Sequence, residues 1–124
     1  MTGPIFDTHA HYCARAFDPD RYALLDSLPG KGVVGACEQA THSGDAPRVL
    51  ELAHRYPWVY AAIGIHPESL LAPEDCGEEG AAPTVSVYGG DWAAELRALA
   101  PFYDDPKVVA VGECGLDYHW PVPR

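Results

Sequence analysis

Pro4-Ile5-Phe6-Asp7-Thr8 and, beyond one intervening segment, Val33-Val34-Gly35-Ala36-Cys37 are short apolar, β-branched runs whose relation decides the fold. The segment between them reads as a helix from about Pro19 to Leu28, with Asp18 placed to cap it and Pro19 at its first position. Pro29-Gly30 ends that helix, and Gly30-Lys31-Gly32 turns the chain into the second run. Strand, helix and strand in this order imply a βαβ unit and a parallel sheet.

The rhythm continues outward. A second helix is expected from about Ala46 to Arg55, capped by Asp45, with Leu50, Ala53 and His54 on one face with Pro47. Trp58 to Ile63 is a third strand. Leu70 to Gly90 holds Pro73, Gly77, Gly80, Pro83 and Gly89-Gly90 among Glu74, Asp75, Glu78 and Glu79, and is expected to be a long loop or insertion. Asp91 then caps a helix from Trp92 to about Tyr103, with Leu96, Leu99 and Ala100 on one face. Pro106 breaks away, and Lys107 to Gly112 is a fourth strand. The order is strand and helix in alternation, four strands and three helices.

Composition places limits on function. The chain has 124 residues, 48% hydrophobic and 21% charged, which suits one globular domain and argues against disorder. No apolar run approaches the roughly 18 residues of a membrane span, and the opening lacks the basic and apolar regions of a secretory signal. A cytoplasmic protein without membrane contact is expected. Cys13, Cys37, Cys76 and Cys114 form no CxxC pair and fit no zinc-finger spacing, so they read as reduced thiols. Eight Lys and Arg stand against 18 Asp and Glu, a net charge of −10. Such a protein cannot grip nucleic acid by bulk electrostatics; bound cations must supply the local positive charge.

Three strand ends carry polar residues that a packed core would not select. In Asp7-Thr8-His9-Ala10-His11 the period-two alternation puts Ile5, Asp7, His9 and His11 on one face, with Ile5 free to fill the interior. Two histidines two residues apart stand about 7 Å apart at their backbones, close enough for both rings to reach one metal ion. Alone, such a pair is either a metal site or two loop histidines with no ligand. Gly64-Ile65-His66-Pro67 ends strand three, and its histidine alone is equally readable as a turn residue. Val111-Gly112-Glu113-Cys114-Gly115-Leu116-Asp117-Tyr118 ends strand four, with Val109, Val111 and Glu113 on one face and Gly112 and Gly115 allowing a tight turn. A carboxylate there is either metal-bound or satisfied by backbone amides. Together the three clusters improve one another, because functional residues of α/β barrels come from the carboxyl ends of several strands. Two imidazoles with a carboxylate suit Zn, Mn or Mg.

Ile5 to His11, Gly64 to Pro67 and Val111 to Tyr118 resemble, in order, the three amino-terminal signatures of the TatD family of metal-dependent hydrolases. The resemblance covers essentially the whole chain and is weakest from Leu70 to Gly90. It implies a TIM-type (β/α)8 barrel with two divalent metal ions (Mg, Mn or Zn) that hydrolyses phosphodiester bonds, typically in DNA. His9 and His11 match the first two metal ligands, and Glu113 matches the catalytic carboxylate bridging both metals. His66 matches a histidine near the substrate phosphate, and Asp7 is left to orient a ligand histidine. His42, His54 and His119 fall outside these signatures and are not matched to any of the family's site residues.

The remaining ligands of the family, two histidines and a late aspartate, lie beyond its third signature, whereas this chain stops at Pro121-Val122-Pro123-Arg124. A barrel of this type needs about 250 residues. Residues 1–124 are therefore expected to be the amino-terminal half of one barrel domain, four strands with a loop insertion at about 70–90. The piece alone is expected to be inactive and to self-associate through its open edge, with DNA as substrate and no obligate protein partner. Two rivals stand beside this: a metal-barrel hydrolase of a small ester or amide, and a non-catalytic truncated product.

Overall fold

A computed structural model describes residues 3–70 and 86–116. It contains four parallel strands, β1 (Ile5–Ala10), β2 (Val33–Ala40), β3 (Val59–Ile63) and β4 (Val108–Val111), in the order β1-β2-β3-β4. Helices α1 (Arg21–Ser27), α2 (Ala46–Arg55) and α3 (Trp92–Leu99) connect them. Each strand therefore neighbours the next one in sequence, as consecutive βα units of a barrel do.

The core lies between the helices and one face of the sheet. Val49, Leu50, Leu52 and Ala53 of α2 pack on Val59, Ala61 and Ile63 of β3, joined by Leu25 of α1 and Leu99 of α3. Leu25, Ile63 and Leu99 are wholly buried; each contributes about 1.5–3 kcal/mol by leaving water. Alanines at 40, 46, 53 and 61 are equally inaccessible, and their small side chains let α2 approach the sheet. No helix of the described residues is long and apolar enough to cross a membrane.

Several elements depart from expectation. Asp18 does not cap the first helix, which starts at Arg21; its carboxylate instead pairs with Arg21 at 2.5 Å and Arg48 at 2.7 Å. Asp45 stands at the start of α2 but turns its carboxylate back onto the Thr41 and His42 amides. Asp91 caps α3 as expected, accepting from the amides of Ala93 and Ala94. That helix stops at Leu99, and residues 100–104 tighten into a 3-10 turn around Pro101. Strand β2 runs on to Ala40, three residues past its expected end, and carries Glu38 and Gln39 into the interior. Most of the expected loop insertion, residues 71–85, lies outside the described residues.

The facing of β1 is also corrected. Phe6, not Ile5, lies with Tyr60 on the face of the sheet opposite the helices: its ring lies over Gly35 and stacks on Tyr60 with centroids 6.2 Å apart. Exposure does not separate the two residues, at 49% for Phe6 and 46% for Ile5. Gly35 leaves the space that Phe6 occupies, since a Cβ there would collide with the ring.

Candidate metal centre

With Phe6 on the Tyr60 face, strict alternation would send His9 and His11 to the opposite one. The β1–β2 pairing is irregular between Asp7 and Ala10, and this break reorients the last residues of the strand. Asp7 shapes the break, because its carboxylate accepts from the His9 amide at 3.1 Å and from the Tyr12 hydroxyl at 3.1 Å. Asp7 thus orients His9 through its backbone, not through its imidazole. Burial and the Asp7 charge push the Tyr12 phenol up to about 12, so its hydroxyl keeps the proton it donates.

Glu113 reaches the histidines by another route. Two strands separate β1 from β4, so their ends stand about 14 Å apart along the sheet at the usual strand spacing. Past Val111 the chain leaves β4 and leans across β3. The Gly112 amide donates to the Ile63 carbonyl at 3.0 Å, and the Glu113 amide donates to the Ala40 carbonyl of β2 at 3.2 Å. The Gly112–Glu113 peptide is cis. Gly64 makes the crossing possible: a Cβ there would collide with the Glu113 carbonyl oxygen and the Gly112 carbonyl carbon. The glycine of the Gly64-Ile65-His66-Pro67 motif is thus needed by its neighbour strand.

The three side chains converge. His9 Nε2 lies 2.5 Å and His11 Nε2 3.0 Å from Glu113 Oε1, and the two ring nitrogens are 3.1 Å apart. These electron-pair donors all lie within 4.8 Å of one another. Such crowding is unfavourable unless a proton or a cation lies among them. Ligand atoms bound at about 2.0–2.2 Å around one divalent ion stand about 3 Å apart, which two of these three separations match. The residues present therefore fit a divalent cation, with imidazole nitrogen and carboxylate oxygen as its donors.

His66 joins the same carboxylate from the other side, with Nε2 3.2 Å from Glu113 Oε2. Its Nδ1 accepts from the Glu68 amide at 3.2 Å. An amide can only donate, so Nδ1 is the unprotonated nitrogen and the proton of His66 sits on Nε2, facing Glu113. Its amide is tied to the Thr41 carbonyl at 2.8 Å, which ties the turn after β3 to the end of β2.

Residues that sequence reasoning passed over support this arrangement. Glu38 is fully buried and accepts from the amides of Tyr12 at 2.9 Å and Cys13 at 2.6 Å. Arg21 grips the carbonyls of the same turn: Nε on Tyr12 at 2.6 Å, and Nη2 on Cys13 at 3.2 Å and Ala14 at 2.9 Å. One carboxylate and one guanidinium thereby satisfy both polarities of the backbone just after His11. Burial holds the Glu38 carboxyl above its usual range despite those amide bonds. Burial first, and then the Glu38 charge, push the Cys13 thiol up to about 12, so it is no nucleophile at neutral pH. The polar residue at an expected strand end was the only signal Glu38 gave, because its partners are backbone groups.

Two clefts flank the triad. One, about 550 Å³, is lined by His9, His66, Gly112, Glu113 and Leu116. The other, about 400 Å³, is lined by His11, Arg15, Glu38, His42 and Arg48. Gln39 borders both, and its amide is fixed on the Thr8 carbonyl at 3.3 Å and the Cys37 carbonyl at 3.1 Å.

Parallel βα units with imidazoles and a carboxylate gathered at the carboxyl ends of their strands define part of a TIM-type barrel of the metallo-hydrolase kind. Comparison with known proteins makes this specific. The family described as TatD related DNase matches residues 6–124, and the chain belongs to that family. It is 34% identical over 116 residues to the metal-dependent hydrolase YabD of Bacillus subtilis, covering 94% of this chain and 38% of YabD. It is 30% identical over 115 residues to the 3′-5′ ssDNA/RNA exonuclease TatD of Cronobacter turicensis, covering 93% of this chain and 37% of that protein. The crystal structure of the TatD homologue YjjV of Escherichia coli superposes with a TM-score of 0.68 at 32% identity, covering 92% of this chain and 38% of YjjV. The chain thus spans less than two fifths of the length of these relatives and forms part of their barrel.

Proposed function

We propose that this chain contributes His9, His11 and Glu113 to a divalent-metal centre that hydrolyses phosphodiester bonds in DNA. The observation that carries the reading is the convergence of three N/O donors from two strand ends with two further strands between them. Bound divalent cations, Mg, Mn or Zn, would polarise a phosphoryl oxygen and lower the pKa of bound water. Glu113 suits a bridging role, since Oε1 faces His9 and His11 while Oε2 faces His66 and the larger cleft. His66 presents an N–H donor at the edge of that cleft, suited to a phosphate oxygen of the substrate. Glu38, Arg21 and Asp7 hold the backbone on either side of the histidines, so donor positions are set before a metal arrives.

Three donors leave coordination positions to be filled by water, substrate or further ligands of a complete barrel. The names of the family and of the Cronobacter relative support DNA, or single-stranded nucleic acid more generally, as substrate. Two divalent cations also answer the charge problem of a protein with net charge −10. Free thiols at Cys13, Cys37 and Cys114 support a reducing, cytoplasmic setting. The test is cleavage of a labelled single-stranded oligonucleotide by the full chain completed to barrel length, with saturating Mn²⁺ or Mg²⁺. Metal-dependent cleavage that EDTA abolishes is expected. Hydrolysis of small esters or amides with no cleavage of the oligonucleotide would replace this reading.

A further inference from the structure

The chemistry proposed for the triad does not use the second cleft. It opens beside His11, between the turn after β1 and the turn after β2, and Gln39 connects it to the larger cleft on the far side of the triad. The triad therefore stands between two hollows at the carboxyl ends of the strands.

The chemistry of the second cleft is that of an anion site. Its two carboxylates, Glu38 and Asp45, already accept from backbone amides: Glu38 from Tyr12 and Cys13, Asp45 from Thr41 and His42, with the Thr41 hydroxyl donating to Asp45 at 2.6 Å. The cations are less committed. Among the described residues the exposed Arg15 side chain has no hydrogen bond or ion pair, and Arg48 gives only one nitrogen to Asp18. His42 Nδ1 accepts from the Gly44 amide at 2.9 Å, which leaves the imidazole proton on Nε2. The loop that carries His42 is held by Glu95 of α3, wholly buried, which accepts from the Ser43 amide and the Ser86 hydroxyl. Guanidinium and imidazole N–H donors around a polar hollow suit a phosphate. In a protein with 18 acidic and 8 basic residues, such a concentration next to the donor triad is a local exception.

We infer that this cleft is a second phosphate subsite, in which Arg15 and His42, with the free edge of Arg48, hold the phosphate next to the scissile one in a single-stranded polynucleotide. The inference rests on the nuclease reading above and adds a binding contact to it: Arg15 and His42 hold a second phosphate of the strand, next to the one at the triad.

The experiment measures anisotropy of a fluorescein-labelled phosphorothioate oligothymidylate, which resists cleavage, against the full chain completed to barrel length with Mn²⁺ present. Arg15→Gln and His42→Gln are compared with Lys31→Gln, a control cation outside the cleft. Arg15→Gln is expected to weaken binding about 10-fold and to make the log–log salt slope shallower by about 0.7, the value for one single-strand phosphate contact. His42→Gln is expected to weaken binding, and Lys31→Gln to change neither quantity. An unchanged slope in Arg15→Gln, an equal change in Lys31→Gln, or no binding by the unsubstituted protein overturns the subsite. Cleavage of an ordinary oligothymidylate is assayed separately. Arg15-dependent binding without cleavage leaves the subsite standing and overturns the nuclease reading; cleavage with Arg15-independent binding does the reverse.

Discussion

Glu38 and Glu113 are both carboxylates at strand ends, and their surroundings give them opposite tasks. Glu38 is sealed in, with its oxygens spent on the Tyr12 and Cys13 amides. Glu113 is part-exposed, and among the described residues its oxygens meet only histidines. Glu38→Ala is therefore expected to leave two buried amides unpaired, at about 1–3 kcal/mol each, and to weaken Mn²⁺ binding about 10–100-fold through the displaced His11 turn. Thermal unfolding and a metal titration check both, and a loss of stability with unchanged metal affinity would confine Glu38 to the fold. Glu113→Gln is expected to keep the melting temperature and to lose about 10²–10³ in cleavage rate, the scale for removing one preorganised electrostatic group. Near-normal turnover would make Glu113 a structural acid. That His9, His11, His66 and Glu113 would meet at one place was legible in the sequence, because each is a polar residue at the end of an apolar strand and these strand ends fall on one side of the sheet. Glu38, Gln39 and Arg15 were not legible. The first two bond to main-chain groups, which leave no trace in a one-dimensional pattern, and Arg15 is defined by what it does not touch.

Elements show the same division. The bounds of α2 were readable because Asp45, Pro47 and the apolar stripe agree, whereas the end of β2 was hidden by polar residues that the interior satisfies locally. The facing of β1 was misread because a register break overrides alternation. Gly64 is the hinge of the arrangement between elements, since β4 reaches the triad only by passing over it. Gly64→Ala is expected to cost about 1–3 kcal/mol from overpacking and to displace Glu113, so that stability and Mn²⁺ affinity fall together; a fall in stability alone would show that the crossing adapts. At the opposite end, His54 of α2 meets Asp105, just before β4, at 2.7 Å. That hydrogen bond first, then the Lys107 amide, holds the Asp105 carboxyl below its usual value. A depressed acid stabilises the fold above its unfolded pKa, and that contribution is lost as pH falls through the folded pKa. Asp105→Asn keeps an oxygen for the Lys107 amide but no charge for His54. Urea midpoints should show it less stable than the parent at pH near neutrality, with the difference closing below about pH 4, the ordinary aspartate range. A constant difference across that range would assign the effect to packing.

For the whole molecule, β1 and β4 each have an unpaired edge among the described residues, and Val34, Val109 and Val111 are exposed at 58%, 57% and 70%. In a closed barrel such edges pair and such side chains are covered. The 124-residue chain by itself is therefore expected to self-associate, with light scattering reporting species above monomer mass; a clean monomer would show that the edges are protected. Three donors leave most positions around a divalent ion open, so the isolated chain is expected to hold metal weakly. If His9, His11 and Glu113 bind one and the same metal centre, Mn²⁺ titration followed by electron paramagnetic resonance of the free ion will show it, on the full chain completed to barrel length and on its His9→Ala and Glu113→Gln variants. Saturable binding in the parent, weakened at least about 10-fold by either substitution, is the predicted result. Equal Mn²⁺ binding by all three proteins, or none by the parent, would contradict it.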